Sequence, residues 1–179
     1  NNSKYFIKND EHITKINKIE GVDFVSKVIE DRAIASYNGY EIPVYIKGVD
    51  SSFSLQNRLN NNIVEGNFTL KKDSSSYAII GRGIKYKMSL NLKDNFNNLI
   101  LYSVSPDFSF IPSGIQKQPF NQLSIIASGV FAIEQQIDNN YIISSLDFAE
   151  KLFKKKNKIT ALELKINEKE DNDKIKTEI

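Results

Sequence analysis

Residues 22–49 read VDFVSKVIEDRAIASYNGYEIPVYIKGV, and the Asn38-Gly39 pair near their middle decides the fold class. A two-residue type I′ turn needs two neighbours that tolerate positive φ, and Asn-Gly supplies them. On the near side Val22, Phe24, Val28, Ile34 and Tyr37 form a run of β character. On the far side, from Tyr40 to Val49, Ile42, Val44 and Ile46 recur at every second position. The stretch predicts a long antiparallel hairpin.

Upstream, Ile13, Ile16 and Ile19 stand at helical spacing and predict a helix over 11–19, with Asp10 as N-cap and Gly21 as stop. Downstream, a short helix is expected over 51–59, with polar loops at 60–62 and 71–76. Residues 77–80 read as a short buried strand, and 81–90 as a helix with Ile84, Met88 and Leu92 along one side. Further strands are expected at 99–104, 123–133 and 141–143. The last runs into a helix over 145–154, capped by Ser145 and striped with Leu146, Ala149, Leu152 and Phe153. Residues 160–166 alternate, with Leu162, Leu164 and Ile166 facing one way, and the charged tail 167–179 reads as the start of another helix. Strands and helices interleave without a βαβ rhythm. The expected class is therefore α+β, a β-rich mixed or antiparallel sheet with several short helices.

At 179 residues the chain suits one mid-sized domain, or one domain with two lobes. Forty per cent apolar residues, including 11 Phe and 8 Tyr, are enough for a core. Charge is nearly balanced at +2 and spread along the chain, and only Arg32, Arg58 and Arg82 are arginines, so no nucleic-acid partner is expected. The absence of cysteine excludes disulfides, thiolate metal sites and cysteine nucleophiles. The chain opens Asn1-Asn2-Ser3-Lys4, and the expectation is an internal or processed fragment, with any membrane anchor outside it. Its longest mostly apolar stretch, 123–133, is about half of what a membrane span requires.

Chemistry is sparse. The single histidine, His12, falls on the first helix and reads as solvated; no G-x-S-x-G elbow occurs. Asp147 and Glu150 stand at helical spacing, as carboxylates on charged surfaces often do. Gly81-Arg82-Gly83 follows a strand but lacks the rest of a phosphate loop, and is better read as a tight strand-to-helix turn. Asp171-Asn172-Asp173 lacks the glycine and distal glutamate of a calcium loop. No catalytic residue, metal ligand or cofactor is assigned. Lys154, Lys155, Lys156 and Lys158 either complement a helix C-terminus or touch anionic lipid.

One segment stands out. Three of the four prolines fall between Pro106 and Pro119, in a stretch rich in turn formers that also carries large apolar side chains. The candidate partner-binding residues are Pro106, Phe108, Phe110, Ile111, Pro112, Ile115 and Phe120, within a protruding hairpin over 104–122. The alternative is that these side chains fold back onto the core. Burying Phe108, Phe110 and Ile111 would yield about 1.5–3 kcal/mol each. Association itself costs on the order of 4–15 kcal/mol. Such an arm docks transiently unless strand pairing or a polar rim adds to it.

The order of several short motifs resembles the periplasmic core of lipoprotein-releasing ABC-transporter permeases. They are Ile19-Glu20-Gly21-Val22, Val28-Ile29-Glu30-Asp31-Arg32-Ala33, Tyr45-Ile46-Lys47-Gly48-Val49-Asp50 and Ile63-Val64-Glu65-Gly66-Asn67-Phe68. Ile79-Ile80-Gly81-Arg82-Gly83, Gly129-Val130-Phe131 and Asp138-Asn139-Asn140-Tyr141-Ile142-Ile143 continue the series, which spans residues 11–166. The wider family includes macrolide-exporter-type and cell-division-type permeases. The resemblance implies a single extracytoplasmic domain over 1–179, flanked by transmembrane helices of a bacterial inner-membrane protein and catalysing nothing. Implied partners are a second permease subunit, in a homo- or heterodimer, a cytoplasmic ABC ATPase reached through the membrane part, a lipoprotein substrate and a periplasmic lipoprotein chaperone. One permease type of that branch recruits the chaperone with a protruding hairpin, and residues 106–120 lie where it would fall without matching it closely. The alternatives are an export permease for a drug, peptide or toxin and, in another class, a secreted hydrolase.

Overall fold

The computed structural model describes residues 4–56, 59–94, 96–104 and 120–167. In chain order they form β1 (Phe6–Ile7), α1 (Asp10–Ile16), β2 (Val22–Tyr37), β3 (Tyr40–Val49), 3₁₀ turns at Ser51–Gln56 and Asn60–Asn62, β4 (Ile63–Gly66), β5 (Lys71–Lys72), β6 (Ser75–Gly81) and α2 (Arg82–Lys87). Then follow β7 (Leu99–Val104), β8 (Phe120–Phe131), α3 (Gln135–Asp138), β9 (Tyr141–Ser145), α4 (Leu146–Leu152), β10 (Lys158–Ile159) and β11 (Ala161–Ile166). The class is α+β and rich in strand, as the sequence predicts.

The hairpin closes as its sequence requires. Asn38 (φ 48°) and Gly39 (φ 83°) both adopt the left-handed backbone of a type I′ turn. From there β2 and β3 pair in unbroken register, from Tyr37↔Tyr40 to Val28↔Val49. β3 then pairs parallel with β9, β9 antiparallel with β6, and β6 parallel with β8. β8 pairs antiparallel with β7, and β7 antiparallel with β2. Six strands thus close into a ring. β2 can serve so many neighbours because it is long: Val22–Val28 pair with β11 and Ile34–Ser36 with β7. β4 and β5 extend the ring from β8 and β6, while β1 and β10 form a separate two-stranded ladder.

Side-chain alternation along the shared strands divides the interior into two clusters. Ile29, Val44, Ile46, Ile80 and Ile142 face one side, where α2 contributes Ile84 and α4 contributes Leu146, Ala149 and Leu152. Val28, Val49, Ile79 and Ile143 face the other, beneath Leu59 and Phe131.

Local details depart from expectation in instructive ways. Asn9, not Asp10, caps α1: its side-chain oxygen accepts the Glu11 and His12 N–H groups. Asp10 is left in the first turn, where its charge suits the helix dipole and meets Lys27 at 3.2 Å. α2 starts on Gly81 in ordinary extended backbone (φ −62°), so that glycine serves close approach and not an unusual turn. A Cβ there would stand 2.2 Å from the Asp138 carbonyl, and one on Gly83 would meet the Asn139 side chain at 1.8 Å. α2 and α3 touch because neither glycine has a side chain. Ser145 caps α4 as predicted, accepting the Phe148 N–H at 3.3 Å, and the apolar stripe of α4 is buried.

Candidate docking surface

Of the seven candidate partner-binding residues, Pro106, Phe108, Phe110, Ile111, Pro112 and Ile115 lie outside the described residues. Phe120 opens β8, opposite Val104, and is 52% exposed. The two strands that flank the segment are described. β7 and β8 pair from Leu99↔Ile125 to Val104↔Phe120, so residues 105–119 connect two adjacent antiparallel strands. Leu99, Leu101 and Ile125 fix that root in the core.

Polar ties hold it from the side. The last carbonyls of a helix have no partner within it and take donors from elsewhere. At the end of α4 two side-chain donors come from the hairpin root: buried Ser103 donates to the Leu152 carbonyl at 2.5 Å. Asn121 donates through Nδ2 to the carbonyls of Lys151 (2.9 Å) and Leu152 (2.7 Å). Sequence reading missed this pair. The available signal was Ser103, a polar residue in the strand LILYSV.

The chain turns beside this root through Lys154 (φ 51°). The lysine run is dispersed there: the Lys155 ammonium lies 5.1 Å from the centroid of the Tyr5 ring, and Lys158 belongs to β10. Lys151, Lys154 and Lys156 share a shallow hollow with Asp147 and Glu150, so its charge is mixed. Nearby, Asp31 accepts from the Tyr5 hydroxyl at 2.5 Å, from Lys4 at 2.9 Å and from the Arg32 N–H at 2.8 Å. Burial opposes the charge on Asp31, yet these donors together hold its carboxyl below the usual range. Burial and that carboxylate raise Tyr5 well above an ordinary phenol.

A second concavity, of ≈ 600 Å³, opens where β3 and β9 end side by side at Val49 and Ser145, walled by Phe68 and Leu70. Asp50 on its rim is occupied structurally. It accepts from the Ser26 hydroxyl at 2.9 Å and from the backbone N–H groups of Lys27 and Ser52 at 3.1 Å. Elsewhere the Asp94 carboxylate accepts from Tyr37 (2.7 Å), from the Asn97 amide (2.9 Å) and from the N–H groups of Phe96 and Asn97. Asn97, then Tyr37, then the Phe96 N–H hold that carboxyl far below its ordinary range. The groups with shifted protonation therefore fall in separate places: Tyr5 with Asp31, Tyr37 with Asp94, and Tyr141, whose hydroxyl donates to Glu30 and which burial raises. Acid, base and nucleophile do not converge among the described residues. His12 is exposed on α1. No group of three or more potential metal ligands occurs among the described residues, and no helix there is long and apolar enough to cross a membrane. The Gly81-Arg82-Gly83 turn packs against Asp138 and Asn139 at the end of α3, while Asp171–Asp173 lie outside the described residues.

No family model matches the chain, and no curated protein matches it by sequence. Solved structures do. The chain is similar to the extracellular domain of the noncanonic ABC-type transporter YknZ from Gram-positive bacteria. That match has a TM-score of 0.62 and 17% identity, over 99% of this chain and 80% of that one. It is also similar to the periplasmic region of MacB from Actinobacillus actinomycetemcomitans (TM-score 0.60, 11% identity, 96% and 71% covered). A domain of a putative permease from Porphyromonas gingivalis is similar at a TM-score of 0.50 and 11% identity, with 97% and 68% covered. At such identities the likeness is one of fold: this chain has the architecture of extracytoplasmic ABC-transporter domains.

Proposed function

We propose that the chain is a non-catalytic extracytoplasmic domain of an ABC-transporter permease, working as a lever and docking surface for ATP hydrolysis carried out across the membrane. The observation that carries this reading is the shared fold with the YknZ and MacB domains over nearly the whole chain. The dispersal of its shifted titratable groups agrees with it. On this reading the domain works beside a second permease subunit and a cytoplasmic ATPase.

The finer proposal is that the transporter releases lipoproteins from the inner membrane and hands them to a periplasmic carrier, with residues 106–120 as the contacting arm. It rests on the ordered motifs over 11–166 and on the apolar character of a segment set between two neighbouring strands. Depleting the native permease should strand a tagged outer-membrane lipoprotein in the inner membrane. Normal lipoprotein sorting after depletion ends the lipoprotein proposal and leaves the second reading, an export permease of the MacB kind, which the fold likeness to MacB favours. Turnover of generic ester, peptide or glycoside substrates by the purified chain would end both.

A further inference from the structure

We propose that the outer edge of β11 is a self-association edge, on which β11 of a second copy pairs antiparallel about a twofold axis at Leu164. β11 is bonded to β2 along one side, from Ala161↔Val28 to Ile166↔Val22. Among the described residues no backbone hydrogen bond reaches its other side. A row of unmatched N–H and C=O groups templates another strand unless the sequence blocks it. Proline would block it, and 161–166 contain none; the one register shift falls at the last step, between Lys165 and Ile166.

Charge decides both the occupant and the register. Charged side chains, Lys above all, are one device that protects a strand edge, and charges of a single sign would repel a copy; β11 carries one of each, Glu163 and Lys165, two residues apart on the same face. About a twofold axis perpendicular to the sheet, opposed residues share a face, so the central residue meets itself. An axis on Glu163 or on Lys165 sets like charges directly opposite each other, which destabilises a sheet. An axis on Leu162 or Ile166 shortens the ladder and opposes neither charge to the other. An axis on Leu164 sets Glu163 against Lys165 twice, Leu162 against Ile166 twice, and Leu164 against itself. The strand is complementary to itself in that register.

The side chains are placed for it. β11 is half-exposed along most of its length. One oxygen of Glu163 accepts from Lys47 at 2.6 Å, and a carboxylate retains acceptor capacity beyond that single bond. The Lys165 ammonium lies 5.8 Å from the centroid of the Phe24 ring and keeps its donors. So short a ladder buries less than a typical stable interface, about 1,200–2,000 Å². The isolated chain therefore associates weakly, and holding two copies in one membrane raises their effective concentration. The inference needs this chain alone and stands whether or not the transporter reading does.

Sedimentation equilibrium of the 179-residue chain, from micromolar to millimolar, tests it. The expected result is a monomer–dimer equilibrium. Glu163→Lys and Lys165→Glu should each weaken it by roughly tenfold or more, since each leaves like charges opposed at two positions. An equimolar mixture of these two variants should associate as heterodimers, and the double variant should recover the parental constant. Glu163→Gln, which retains an acceptor for Lys47, should weaken the dimer by a few-fold and guards against a folding defect in Glu163→Lys. A chain monomeric throughout overturns the proposal, as does a dimer indifferent to the single reversals. A mixture that associates no better than its components overturns it too.

Discussion

The two long hairpins of this molecule close in different ways. β2 and β3 are joined by Asn38 and Gly39, and their register follows from the turn outward. β7 and β8 are joined by residues 105–119, a connection too long to set a register by itself. The second ladder is set by its surroundings: Leu99, Leu101 and Ile125 in the core, β2 along one edge, and the carbonyls of α4 gripped by Ser103 and Asn121. A hairpin held at its root by tertiary contacts leaves its connection unconstrained in sequence. The molecule can thus carry an unusual segment there without altering its fold.

The sharpest way to break the comparison is in the core. Ile46 in β3 and Leu101 in β7 are both fully buried, and replacing either by Ala should cost about 2–5 kcal/mol in urea unfolding. Equal losses mean that both hairpins melt with one core; a much smaller loss for Leu101→Ala would mark the second as a separate unit. Next comes the grip on α4. The double variant Ser103→Ala/Asn121→Ala should cost about 1–3 kcal/mol. It should speed amide exchange in β7 and β8 while sparing β2 and β3. Gly39→Ala strikes the first hairpin instead: at φ 83° an added Cβ has open space but a disfavoured backbone. It should cost roughly 1–2 kcal/mol and lower Tm by about 2–8 °C.

Acid separates the two regions without mutation. Tyr37, the last residue before the first turn, donates to Asp94, whose carboxyl is held below its unfolded value by Asn97, Tyr37 and the Phe96 N–H. A depressed folded pKa contributes stability above the unfolded pKa of about 3.9, and that contribution is lost as pH falls through the folded value. Amide chemical shifts of Phe96 and Asn97 should therefore stay unchanged near pH 4 and move only in stronger acid. The ties from Ser103 and Asn121 contain no titratable group and should not respond. The smallest effect on stability, and the largest on partner capture, is expected for Phe108→Ser/Phe110→Ser. Tm should hold while recruitment by the full-length transporter weakens; a large fall in Tm would show that these rings belong to the core.

What could be read from the sequence follows the same division. The β2–β3 hairpin, the stripe of α4 and the Ser145 cap were legible because each is written in adjacent residues. The ring was not. It depends on β3 lying parallel to β9 and β6 parallel to β8, and no local pattern announces which distant strand a strand will meet. β4 and the β1–β10 ladder were missed for the same reason, each being too short to show a period. Gly81 and Gly83 were legible as glycines that must be glycines. Their reason, contact with Asp138 and Asn139, lies more than fifty residues away. The candidate arm rests on composition alone, on prolines and aromatics in an unexpected place. The residues that anchor its root stayed hidden because Asn121 gives no sign of its partner in α4.

Phe6 lies opposite Ile159, the Glu30 N–H bonds to the Thr160 hydroxyl, and Val28 lies opposite Ala161. Strands near the start of the described chain thus complete their bonding only with segments 130 or more residues further on. A polypeptide threaded from a ribosome or through a translocation channel would emerge with β1 and β2 waiting, their edges open, until β10 and β11 had cleared the exit. Maturation of this domain is therefore timed by the arrival of β10 and β11.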